Sequence, residues 1–194
     1  MTLLVAIVAL LLTAGPALAH PPPLGLTGFF GGALHPLFVP AHVLAITALG
    51  ILCGQQMPRW GKAAPLGFVA ALAVGLTAIA LAVVPRYADT MVLAFAVAAG
   101  AMVALARPLP EPAGCAVAAA IGLAVAVDSP PQIISVGEAN LMLVGTGLGA
   151  TIMLVVAVGC AARLNRPWQR VGLRVLGSWI AASAILVLAL QFAR

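Results

Sequence analysis

Two of the three histidines in this chain, His35 and His42, stand seven residues apart in the otherwise apolar run His35-Pro36-Leu37-Phe38-Val39-Pro40-Ala41-His42. Imidazole is costly to place in hydrocarbon, so an ionisable group kept there marks a site by default. The chemistry open to the pair is that of neutral nitrogen ligands for a divalent transition metal. On a straight helix the two rings share a face but sit ~10.5 Å apart along the axis, too far for one ion at the ~2.0–2.1 Å of a zinc–imidazole bond. Pro36 and Pro40 each remove a backbone donor and crowd the carbonyl four residues earlier, so the segment is expected to be kinked or partly unwound. Such backbone persists at membrane depth where it is buried in protein or lines a cavity, as in transport sites. The plainer alternative is that His35 caps the helix entrance and His42 donates to a nearby backbone carbonyl.

The remaining candidates are fewer. His20, if it is a mature amino terminus, offers an amine and an imidazole together, and otherwise is a solvated leader residue. Glu138, with Asn140 beside it and Asp128 in the preceding loop, is an accessory ion ligand or proton acceptor, or else an acid complementing a helix dipole. Gln55 and Gln56 are placed at the far end of the first span, where water satisfies them. Cys53, Cys115 and Cys160 lie in separate apolar segments without CxxC spacing and read as packing residues, Cys53 roughly on the face of His42. Met57, Met142 and Met153 form no thioether cluster of the kind that selects Cu(I). No nucleophile and base pair, HExxH or paired intramembrane carboxylates are present, so the sequence carries no signature of an enzyme.

Elements long enough to hold these residues are plain from composition. Of 194 residues 64% are hydrophobic and 7% charged, and the mean hydropathy is +1.20. This is the composition of an all-α integral membrane protein. Residues 1–19 read as a secretory signal, with Ala17-Leu18-Ala19 as the cleavage site and an uncleaved first helix as the alternative. The polyproline-like leader His20-Pro21-Pro22-Pro23 follows. Six apolar stretches near the ~20 residues of a spanning helix come next, at 37–57, 64–84, 90–106, 113–127, 139–162 and 172–192. Residues 20–194 are thus read as one six-transmembrane-helix bundle. Gly145-Thr146-Gly147-Leu148-Gly149 is a helix-packing face; with no preceding strand and no GK[ST], it is not a phosphate loop.

The sequence pI is about 10.1, yet the nine basic residues lie in short gaps between apolar runs, so they report topology rather than nucleic-acid binding. With an outward mature amino terminus, the first, third and fifth loops are cytoplasmic. They hold Arg59, Lys62, Arg107, Arg163, Arg166, Arg170 and Arg174, seven of the nine. The outer side keeps Arg86, Arg194, Asp89, Asp128 and Glu138. This asymmetry fits a multi-pass protein of a bacterial-type inner membrane with both mature termini outside.

The leader ending Ala-Leu-Ala-His, the six spans and the segment Gly31-Gly32-Ala33-Leu34-His35-Pro36 through Ala41-His42-Val43-Leu44-Ala45 resemble the HupE/UreJ family. The closing Arg174-Val175-Leu176-Gly177-Ser178-Trp179-Ile180-Ala181-Ala182 is similar to that family's last helix. The resemblance implies a permease for nickel or cobalt, the ion being substrate rather than a resident cofactor, or else a non-transporting membrane accessory or scaffold working with hydrogenase or urease maturation proteins. It places His35 and His42 at the family's two metal-site histidines. Three departures stand out. Ala41 occupies the place of the usual Asp and Val39 that of a frequent Gly, and the family's His-rich segment before the fifth span is replaced by Asp128 to Asn140. Loss of the carboxylate is expected to weaken or alter ion binding.

Overall fold

The computed structural model describes residues 26–81, 88–131 and 135–193, so the signal-peptide reading of residues 1–19 and the candidate His20 lie outside the described residues. Those residues form seven α-helices and no strand: α1 (Gly28–Phe38), α2 (Pro40–Trp60), α3 (Ala63–Ala80), α4 (Ala88–Leu105), α5 (Glu111–Val127), α6 (Val136–Arg163) and α7 (Pro167–Phe192). The apolar stretches found in the sequence correspond to α2 through α7. The addition is α1, whose Gly28-Phe29-Phe30-Gly31-Gly32 opening has the look of a loop in one dimension.

A break at Val39 separates α1 from α2, which are bent by 72° to one another. Val39 is extended, with φ −95° and ψ 107°, because the ring of the following Pro40 disfavours the helical conformation for the residue before it. Pro40 then opens α2 at a position where its missing N–H costs nothing. Pro36, by contrast, is accommodated inside α1. The expected kink therefore exists, and it is a full change of direction.

By length and composition α3, α4, α6 and α7 each suffice to cross a membrane, and the bent pair α1–α2 adds a fifth span if counted as one. At 17 residues α5 is shorter, about 25 Å at 1.5 Å per residue. The chain is a multi-pass helical membrane protein. Large apolar side chains such as Val144, Val155, Trp179, Leu186 and Leu190 face outward on α6 and α7.

The bundle is centred on α2, which packs against all six other helices. Its middle, from Ala45 through Gly54, is buried almost without interruption. Lipid offers no hydrophobic gain for helix association, so close approach of small residues does that work. A Cβ on Gly149 would overlap the Ala33 carbonyl oxygen and one on Gly32 the Met142 carbonyl oxygen, so α1 lies backbone to backbone against α6. That contact fixes where α1, and with it His35, can sit.

Candidate metal site at the bend

His42 lies in the first turn of α2 and is fully buried. Its Nε2 stands 3.0 Å from Asp128 Oδ2, in the one ion-pair contact among the described residues. A carboxylate only accepts, so Nε2–H donates, and in the neutral ring Nδ1 is left as the acceptor. That Nδ1 is buried and has no hydrogen-bond partner among the described residues. The pairing differs from the backbone-carbonyl bond that the plainer reading of His42 required.

The carboxylate comes from the end of α5. Asp128 caps that helix, its backbone N–H reaching Ala124 O at 3.0 Å. A negative group at a helix C-terminus opposes the macrodipole at a cost of roughly 0.3–1 kcal/mol. The hydrogen bond to His42 offsets that cost, since bonds to charged groups contribute roughly 1.5–3 kcal/mol. The buried hydroxyls of Ser129 and Thr146 instead donate to carbonyls four residues earlier, those of Val125 and Met142.

His35 reaches the same place from α1. The 72° bend brings its ring centre to 5.4 Å from that of His42, with the planes at 73°. An imidazole bound at ~2.0–2.1 Å puts its ring centre roughly 3.2 Å from the ion, so two rings on one ion stand about 4.5–6.5 Å apart. The observed spacing falls inside that range, whereas a straight helix would put the pair well outside it. No group of three or more His, Cys, Asp or Glu side chains poised to hold one ion occurs among the described residues.

The other candidates are not drawn in. Glu138 is exposed in the first turn of α6, where it complements the helix dipole. Cys53 is buried in the apolar core, and all three cysteines are free thiols. Asp128 is the residue that reasoning from the chain did not assign to the site. Two signals pointed to it: a carboxylate missing at position 41, and an acid at the wrong end of a helix.

A multi-pass helical membrane protein with a buried, carboxylate-bound imidazole on its central helix is the class these observations define. Within that class, the family model described as HupE / UreJ protein matches residues 8–187, and the chain belongs to this family. No curated protein and no solved structure matches it.

Proposed function

We propose that the protein is a secondary permease for a divalent transition metal, nickel or cobalt, with His35 and His42 at the outward-facing mouth. The observation carrying this reading is the fully buried imidazole of His42, held on Asp128 through Nε2, with no partner for Nδ1 among the described residues and the His35 ring centred 5.4 Å from its own. Carboxylates behind metal-binding histidines fix the tautomer and raise the basicity of the free nitrogen. Asp128 does for His42 what an acid at position 41 does in the family pattern. Two neutral imidazoles hold an ion less tightly than a closed four-ligand site, which suits a substrate that must move on. The chain contains no nucleotide-binding motif, so a gradient or a partner supplies the energy.

In this reading α1 and α2 form one broken span and α3 through α7 five more, in the inner membrane, with both mature termini outside after removal of residues 1–19. Glu138 remains a candidate accessory ligand at the outer surface.

Uptake of radiolabelled nickel and cobalt into cells tests the proposal, comparing the intact chain with a His35→Ala, His42→Ala double variant shown to reach the membrane. Uptake that disappears in the double variant supports it, and equal uptake overturns the site. No uptake of either ion by the intact chain above an empty vector overturns the permease reading in favour of an accessory role in hydrogenase or urease maturation.

A further inference from the structure

The opposite end of α2 opens into a cavity of about 360 Å³. It lies between the end of α2, the segment after α4, the end of α6 and the first two turns of α7. Arg59, Arg170 and Arg174 line it, and no carboxylate does. None of the three has a carboxylate partner within 4.0 Å among the described residues. Arg174 is anchored by its Nε, which donates to Ala104 O at 2.9 Å, so its two terminal nitrogens remain for another acceptor. Three exposed cations around one concavity give it a positive potential that favours an anion.

Two glutamines of α2 form part of the cavity wall. Gln56, only 3% exposed, lines the same cavity, and its Nε2 donates to Arg107 O at 2.8 Å. That bond fixes the amide orientation, and its Oε1 is buried with no partner among the described residues. Gln55 repeats the pattern, its Nε2 on Val103 O at 3.4 Å and its Oε1 likewise unpartnered. Both oxygens lie beneath the cavity surface, so what a ligand there meets is the guanidinium groups, which suit an anionic phosphate ester.

Depth points to the same chemistry. The cavity lies at the end where the loop arginines gather, and Trp168, 69% exposed at the start of α7, is placed as an aromatic at the headgroup level. Basic pockets between helices on the cytoplasmic side are where acidic headgroups bind.

We infer that this cavity is a binding site for an anionic phosphate ester, its phosphate taken by Arg59, Arg170 and Arg174. The group is supplied either by the headgroup of an acidic phospholipid or by a soluble phosphate ester such as glycerol phosphate. Thirteen residues of helix, about 20 Å, separate Gln55 from His42, so the inference does not rest on metal transport.

Native mass spectrometry of the purified full chain tests it, with phosphatidylglycerol, phosphatidylethanolamine and glycerol phosphate as probes. The expected result is at least a tenfold preference for phosphatidylglycerol over phosphatidylethanolamine, lost in an Arg170→Gln, Arg174→Gln variant whose size-exclusion profile is unchanged. Binding of glycerol phosphate alone, with competition against the lipid, identifies the soluble source; retention of lipid without such competition identifies the membrane. Failure of the intact chain to retain either phosphoglycerol probe overturns the inference, as does equal retention by the arginine variant.

Discussion

The two ends of α2 are built from opposite chemistry. At its start a buried imidazole is held by one carboxylate, with a second ring centred 5.4 Å away. At its end three guanidinium groups surround an open cavity that no carboxylate lines. The first end can attract a cation and the second repels one. Under the proposed permease function, a metal ion would meet favourable ligands on one side and an unfavourable field on the other, unless an anion occupies the arginine cavity. The contrast also separates two kinds of site construction. Burial and a single hydrogen bond define the histidine end; charge density defines the arginine end.

The sharpest way to break the contrast is at Asp128. Asp128→Ala is expected to lower metal affinity and uptake about 10–100-fold, the usual effect of removing a carboxylate behind a metal-binding histidine, while leaving lipid retention at the arginine cavity unchanged. Adding Ala41→Asp to that variant is expected to recover part of the loss, because it restores an acid in the first turn of α2, where the dipole favours it. Uptake measured across the four combinations decides this, and a full-strength Asp128→Ala protein would show that the hydrogen bond is structural only.

A smaller effect is expected from a residue that touches neither end. Gly149→Ala would drive a methyl into the Ala33 backbone and displace α1. Overpacking of this kind costs about 1–3 kcal/mol, and here it also moves His35. Gly177→Ala crowds Gly100 and Val103, between α4 and α7, with no histidine involved. Both variants should melt earlier than the parent in a thermal assay, but only Gly149→Ala should lose uptake.

The smallest expected change is at Ala106, a non-glycine residue with φ +50° just past the end of α4, where it lines the arginine cavity. Ala106→Gly relieves a left-handed backbone that alanine adopts at a cost of about 1–2 kcal/mol. The more flexible unfolded chain offsets part of that gain. A rise in melting temperature of a few degrees with unchanged phosphatidylglycerol retention is the expected outcome.

Much of this was legible from residue types alone. The positions of α2 through α7 follow from apolar runs bounded by Pro, Gly and charge, because the bilayer demands about 20 apolar residues per span and satisfies no loose backbone. The gathering of loop arginines follows from the same punctuation. The break between the histidines was readable from Pro40, whose ring acts on the residue before it, whereas Pro36, which carries the same signal, stays inside α1. Local chemistry of that kind is written in consecutive residues.

What tertiary structure decided was direction and partnership. Proline announces that a helix breaks but not by how much, and the 72° turn that joins His35 to His42 depends on α1 packing against Gly145 and Gly149 of α6. The choice of Asp128 as partner required the end of α5 to meet the start of α2, 86 residues away in sequence. Likewise Gln55, Gln56, Arg59, Arg170 and Arg174 became one cavity only because the ends of α2 and α6 and the start of α7 converge. A short-range rule acts through covalent neighbours and can be read along the chain. Contacts between distant helices are set by the packing of all of them together, and no single stretch of residues contains that information.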